Sequence, residues 1–281
     1  MSAYTVRTFQ DAAAFLQHAG DWMLTHEAEH NLLIGLVQQL VAGTALFDPP
    51  FYLATVEKDG AIVGCAFRTP PYKLGLTRMP SDAVPALVKS VASAYNSLNA
   101  VMGDETASSQ FAHRWSKRSG SQAVRGMVHR IYELHAVTPP SRMPLGVMRL
   151  ATTRDTPLVA RWIDAFSEES GVHTANSEGL ARARIKQSAL YLWEVVGVSV
   201  SMAAWSGETP HGRRVGYVYT PTEHRARGYA TALVAQLSTK ILEDGCRFCF
   251  LYTDLANPTS NSIYQQIGYQ PICDVTDWVF V

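Results

Sequence analysis

The sequence predicts an α/β (α+β) fold used twice along one chain. Three observations carry that expectation. Between Gly216 and Tyr269 the order strand, loop, helix, strand, helix can be read directly, and this makes an α/β unit with parallel neighbouring strands. Upstream, the same kinds of segment recur faintly at an offset of about 140 residues, a sign of two copies of one unit. Between them, Thr138-Pro139-Pro140-Ser141-Arg142-Met143-Pro144-Leu145-Gly146 is dense in turn formers and reads as a linker. The expected domains are therefore 1–138 and 147–281, joined over 139–146.

Taken in order, Val6-Arg7-Thr8-Phe9 precedes a helical segment containing Trp22, as Met148-Arg149-Leu150 precedes one containing Trp162. Tyr52-Leu53 opens a strand pair that turns at Lys58-Asp59-Gly60 and returns over Ile62 to Phe67. Tyr191-Leu192 opens a matching pair with its turn at Gly197 and a return over Val198 to Trp205. Both returning strands run toward proline, at Pro70-Pro71 and at Pro210. An unrelated α+β domain is the alternative for the first half.

Gly216 to Thr220 is the strand that feeds the most informative loop. From Ala230 the apolar residues Ala230, Leu233, Val234, Leu237 and Ile241 recur at helical spacing, and Gly245 follows as a stop. Phe248 to Tyr252 is a short apolar run suited to a strand buried on both faces. Asn257 is a good N-cap, Pro258 suits the first helical position, and Gly268 ends that helix. The first N–H groups of a helix lack partners and face the positive end of its dipole, so a strand–loop–helix of this kind can cradle an anion. Neither G-x-x-x-x-G-K-[ST] nor G-x-G-x-x-G is present, which removes the P-loop and dinucleotide readings.

Composition narrows the function classes. The 281 residues are 47% hydrophobic and 17% charged, with 24 basic and 24 acidic side chains. No net field points to nucleic acid or an anionic membrane, no apolar run has transmembrane length, and no secretory leader is recognisable, so a cytoplasmic protein is expected. Four cysteines are too few for a disulfide framework. Cys246 and Cys249 form a C-x-x-C without a second pair, so core cysteines rather than a metal site are expected.

Arg225, Gly228 and Ala230 fill the pattern [QR]-x-x-G-x-[GA]. Asn257, Ser260, Tyr264, Gly268 and Tyr269 fill N-x-x-[AS]-x-x-x-Y-x-x-x-G-[FY]. In these two blocks the chain resembles the GNAT acyltransferase superfamily, strongly over 190–275 and faintly over 1–140. The resemblance implies two GNAT-like mixed-sheet domains in tandem. The first copy is degenerate, because Thr77-Arg78-Met79-Pro80-Ser81-Asp82-Ala83-Val84-Pro85 has no glycine at the cradle and Trp115 stands where tyrosine is expected.

The resemblance further implies acetyl-CoA as co-substrate, with no metal. Its pyrophosphate would lie on Arg225, Ala226, Arg227, Gly228, Tyr229, Ala230 and Thr231. Its pantetheine would lie on Val218, Tyr219, Thr220, Asn257 and Asn261, although Asn257 serves equally as an N-cap. Tyr264 would face the departing thiolate, or else be a core aromatic. The expected acceptor is the amine of a small molecule attacking directly. The base stays open, because the strand before the cradle reads Arg213-Arg214-Val215-Gly216 where some relatives have glutamate. Glu194, Glu168, Glu169, His211, Asp254 and water are the alternatives. Trp193, Trp205 and Tyr217 are either pocket or core. A non-catalytic acyl-CoA-binding or ligand-sensing module is the rival reading.

Overall fold

The computed structural model describes residues 4–43, 50–171 and 174–281. The first half runs β1 (Thr5–Phe9), α1 (Ala12–Leu24), α2 (Asn31–Val41), β2 (Tyr52–Lys58), β3 (Ala61–Arg68) and β4 (Leu74–Leu76). It continues through α3 (Val84–Ala94), β5 (Ala100–Asp104), α4 (Glu105–Ser119) and β6 (Ala123–Leu134). The second half repeats the pattern with β7 (Val147–Leu150), α5 (Thr156–Ser170), α6 (Ser177–Lys186), β8 (Leu190–Val195), β9 (Val198–Glu208) and β10 (Gly212–Tyr219). It closes with α7 (Tyr229–Glu243), β11 (Phe248–Asp254), α8 (Pro258–Gln266) and β12 (Gln270–Phe280). Among the described residues no helix is long and apolar enough to cross a membrane.

Two compact units divide the chain: Met1–Ile131 with Cys273–Val281, and Tyr132–Ile272. The 139–146 segment lies inside the second unit. In the first unit the strands order as β1-β2-β3-β4-β5-β12, with β12 antiparallel to β5 from Val275↔Asp104 to Val279↔Ala100. Trp278 therefore packs beside the first unit's core, which is centred on Leu74, Val101, Phe111 and Trp115. In the second unit the order is β11-β10-β9-β8-β7, with Tyr132–Leu134, the end of β6, on the β11 side. One face of that sheet is covered by α7, through Leu233, Val234, Leu237 and Ile241. The other is covered by α5 and α6, through Val159, Trp162, Ile163, Ala181 and Ile185.

Local chemistry explains the matching elements. Each unit has a two-residue hairpin with left-handed backbone at both central positions, Asp59-Gly60 (φ 52 and 81) and Val196-Gly197 (φ 48 and 77). That turn's twist matches the right-handed twist of the flanking strands. Asp11 starts α1 by accepting from the N–H of Ala13 and Ala14, both at 3.1 Å. Asp104 does the same for α4, whose end is Gly120 in the left-handed region. In the second unit Arg149 on β7 donates to both oxygens of Asp155 at 2.8 and 2.9 Å and to Glu194 at 2.5 Å. It thereby ties β7, β8 and the start of α5 together. The guanidinium holds the Asp155 carboxyl down at about 2.

Gly268 ends α8 at φ 102, and a Cβ there would lie 2.9 Å from the Ala136 carbonyl oxygen and 3.1 Å from Thr138 Oγ1. Both the backbone angle and the space demand glycine. We expect Gly268→Ala to lower stability by about 1–3 kcal/mol, read as a reduced urea midpoint with an unchanged slope. An unaltered midpoint would show that the turn is freely remodelled.

Candidate functional site

The site is built where β10 leaves its neighbour. The parallel register between β10 and β11 runs Gly212↔Phe248, Arg213↔Cys249 and Arg214↔Phe250. Both strands then continue, β10 to Tyr219 and β11 to Asp254, so they part beyond Arg214. On its other edge β10 pairs with β9, Gly216↔Ala204 and Tyr219↔Met202, with a register shift between them. Tyr217 and Val218 thus stand opposite the single residue Ala203, which is a β-bulge, and Tyr217 carries a positive φ of 51. A bulge bends its strand and re-aims its side chains, which lets β10 swing away from β11. The buried Ser201 of β9 pins the bent end, with its hydroxyl 3.1 Å from the Tyr219 carbonyl and 2.9 Å from Thr220 Oγ1.

The chain then turns through a single 3-10 turn, Thr222–His224, into an exposed loop in which Ala226 and Gly228 are both left-handed, at φ 59 and 79. Such a loop gathers successive N–H groups into a concavity that favours anions. It opens directly into α7. Gly228 is the N-cap and supplies no side-chain cap, and the first turn carries no acidic residue. The first intrahelical bond there is Ala232 N–H to the Gly228 carbonyl, at 3.0 Å. The N–H groups of Tyr229, Ala230 and Thr231 are left outward and uncapped at the positive end of a 15-residue helix. A Cβ on Gly228 would meet nothing within 4 Å, so its left-handed backbone, and not crowding by protein, is what calls for glycine.

The two arginines of the loop differ. Arg225 donates through Nη2 to both oxygens of Glu169 at 2.7 Å and through Nε to the Thr220 carbonyl at 2.8 Å. It therefore ties the end of α5 to the loop with its guanidinium engaged. Arg227 has a looser bond, Nη2 to the Glu223 carbonyl at 3.2 Å. Its side chain is the more available of the two for an anion on the cradle.

On the other side of the parting, Asn257 caps α8 by accepting from Ser260 N–H at 3.1 Å. Asn261 is also engaged. Its amide donates to the Asn257 and Asp254 carbonyls at 2.6 and 3.0 Å, and its oxygen accepts from the Tyr132 hydroxyl at 2.9 Å. Both asparagines hold the β11–α8 corner. Tyr264 packs beside Tyr132, with tilted rings whose centroids are 6.3 Å apart, and meets Tyr269 edge-on at 5.9 Å. Only 8% of Tyr264 is exposed. Burial alone pushes its phenol up to about 12. No side chain among the described residues bonds its hydroxyl, which keeps contact with solvent. Tyr264 is thus both a packed aromatic and a free donor.

The α5 side of the parting is aromatic. Phe166 lies 5.6 Å from Tyr217, and Trp162 lies 6.3 Å from Tyr219. Of the tryptophans considered from sequence, Trp193 is core, with its indole N–H on the Leu145 carbonyl at 3.0 Å. Trp205 stacks under Arg213 at 4.3 Å. The candidate bases are mostly engaged: Glu194 with Arg149, Glu169 with Arg225, and Asp254 with Ala256 N–H at 2.9 Å. Glu168 is exposed on α5. All four cysteines are free, and Cys249 is fully buried within β11. Among the described residues no cluster of His, Cys, Asp or Glu is placed to hold a metal ion.

Residues 195–279 match the family model described as FR47-like protein. This span holds the bulge, the cradle and Tyr264. A search of curated protein sequences returned no match. Among solved structures, a GCN5-related N-acetyltransferase from Sphaerobacter thermophilus superposes with a TM-score of 0.64 at 18% identity, covering 98% of this chain and 94% of that one. A GNAT-family acetyltransferase from Colwellia psychrerythraea gives 0.61 at 11% identity, covering 99% and 100%. A tandem GNAT protein from the clavulanic acid biosynthesis pathway gives 0.52 at 12% identity, covering 98% of each. Motif, family match and fold agree, and the chain is a tandem protein of GNAT fold.

Proposed function

We propose that the second unit transfers an acyl group, acetyl in the first instance, from acetyl-CoA to the amine of a small molecule by direct attack. The observation that carries this reading is the parting of β10 from β11 beyond Arg214, leading straight into an uncapped helix. The residues fit the co-substrate. The N–H groups of Gly228, Tyr229, Ala230 and Thr231, with Arg227 beside them, suit a pyrophosphate, and the unpaired edge of Val218, Tyr219 and Thr220 suits an amide-bearing arm. When bound, acetyl-CoA supplies the acyl group as an activated thioester.

Tyr264 is the chain's donor to the leaving sulfur. With its phenol near 12 and an alkyl thiol near about 8.5, full proton transfer is uphill by roughly 5 kcal/mol. Its role is therefore a hydrogen bond to the departing thiolate, with the proton kept on the phenol oxygen. A bulge N–H aimed at the thioester oxygen would add about 3 kcal/mol of transition-state stabilisation. The four free cysteines suit a reducing, cytoplasmic setting.

The first unit serves no acyl-CoA in this reading. There β4 is three residues long and pairs with β5 throughout, Leu74↔Val101 to Leu76↔Gly103. Thr77 N–H and Oγ1 are bonded to the Cys65 backbone, and the Met79 side chain packs onto Gly64. No residue of the 77–83 segment that leads from β4 into α3 is left-handed. The rival reading, a non-catalytic acyl-CoA-binding module, is favoured by one observation: Glu169, Glu194 and Asp254 are all committed to other groups.

Three outcomes check the proposal. Acetyl-CoA should bind the full chain with one equivalent by calorimetry and, at 100 times its dissociation constant, add about 2.7 kcal/mol of stability. Two equivalents would restore a cradle to the first unit, and none would end the transferase reading. Tyr264→Phe should slow turnover about 10–100-fold while leaving acetyl-CoA affinity unchanged; an unchanged rate would remove its role. The raised phenol also sets a pH dependence. The folded state binds this proton more tightly, so its share of stability is full below about 10 and is lost as pH rises toward 12, some 3 kcal/mol in all. Phenolate absorbance should show at least three tyrosines fewer ionising near pH 10–11 in the folded wild type than in unfolded protein, because burial also raises Tyr52 and Tyr269, with Tyr264→Phe narrowing that gap by one.

A further inference from the structure

β10 carries two successive arginines that meet opposite faces of the second unit's sheet and have opposite fates. Arg213 lies on the α7 face. It donates to Glu208 at 2.8 Å, approaches Asp244 at 3.9 Å and stacks on Trp205. Arg214 lies on the α5–α6 face, at the last register position before β10 and β11 part. Its Nε reaches only a neutral group, Ser206 Oγ at 3.3 Å, and its guanidinium rests against Gly207, where a Cβ would come within 3.2 Å of Cζ. Half-buried beside it on α6 is Arg184. The Nε of Arg184 is buried with no hydrogen-bond partner, and its Nη1 donates to Gln187 Oε1 at 3.0 Å.

Among the described residues no carboxylate pairs with Arg184 or with Arg214, although carboxylates meet Arg130, Arg149, Arg213 and Arg225 in ion pairs. The neighbours that act electrostatically on Arg184 are Tyr217, on the bulge, and Arg214, a like charge. Burial and Arg214 both weaken its hold on its proton. Two half-buried cations facing one another without an anion are unfavourable as pure structure. They are the usual furnishing of an oxyanion site, since paired guanidinium groups match a carboxylate's geometry with several charge-assisted bonds.

Resting on the acyl-transfer reading above, we propose that Arg184 and Arg214 bind a carboxylate of the acceptor, so that the acceptor class is amines bearing a carboxylate, amino acids among them. The carboxylate is held at the apex of the parting, and the amine a bond or two away is directed toward the bulge at Tyr217.

The test uses the full chain with acetyl-CoA and matched acceptors, amino acids against their primary amides, with CoA release followed by chromatography. Acids should exceed amides at least tenfold in kcat/KM. Arg184→Gln should raise KM for acids about 10–100-fold, well beyond its effect on amides and with acetyl-CoA affinity unchanged, and Arg184→Lys should recover part of the loss. Amides equal to acids, or an Arg184→Gln effect equal on both series, would overturn the proposal and leave the transferase reading standing. Aminophosphonates turned over faster than their carboxylate counterparts would overturn the carboxylate assignment. Turnover of no acceptor, with acetyl-CoA still bound, would bring down the transferase reading and the acceptor class with it. Thermal unfolding separates function from structure: Arg184→Met should hold or raise the midpoint, because it removes an unpaired cation. A fall of several degrees would make Arg184 structural and overturn the proposal.

Discussion

Everything at the candidate site depends on two strands of one sheet ceasing to pair. A parallel strand normally bonds on both edges, and leaving N–H and C=O groups unmatched along a buried edge is costly. Here β10 and β11 stop pairing at Arg214↔Phe250 while both run on. Three features keep the parted arrangement in place. The bulge at Tyr217 bends β10, Ser201 fixes its end through Tyr219 and Thr220, and Asn261 with Tyr132 fixes the β11–α8 corner. Each acts on one side of the gap and none spans it. The unmatched edges stay open as backbone donors and acceptors.

The two units differ in whether such a gap exists. Both use the same left-handed two-residue hairpin and the same helix pair after their first strand. In the first unit, however, β4 is short and fully paired, and Thr77 continues its bonding to Cys65 beyond the strand. Met79 and Gly64 close over the region by packing. Without a bulge there is no parting, and without left-handed residues between β4 and α3 there is no concavity at the helix start. The fold persists in both units because its core and turns are independent of the cleft.

Much of this was legible in the sequence because it is set locally. The hairpins at Asp59-Gly60 and Gly197, the α7 stripe, the Asn257-Pro258 helix start and the Gly268 stop all follow from backbone preference at single residues. The bulge was not legible. Tyr217 takes a left-handed φ without being glycine, asparagine or aspartate, so no residue type announces it, and tertiary packing on Phe166 accompanies it. Nor could the sequence show that Cys273–Val281 lies in the first unit, since pairing β12 to β5 is a contact between residues more than 160 apart. The motif implied co-substrate contacts for Asn257 and Asn261, whereas their bonds as cap and corner follow from the β11–α8 geometry. Arg225 was readable as an anion ligand, yet its engagement by Glu169 depends on where α5 ends in space.

The missing base and the two unpaired arginines belong to one electrostatic argument. An amine with pKa near 10 is about one part in a thousand neutral at pH 7, and the carboxylates near the cleft are largely engaged elsewhere. A carboxylate bound by Arg184 and Arg214 cancels one of their charges and leaves about one positive charge in excess. At roughly 6 Å and an effective dielectric near 20, that charge disfavours an ammonium by about 3 kcal/mol, or about two pK units. The neutral fraction then rises from about 0.1% to about 10%, a gain of the size that general bases typically provide. On this reading the residues that select the acceptor also prepare its amine, and Arg214 takes over through repulsion the task that a glutamate on the same strand would perform by accepting the proton.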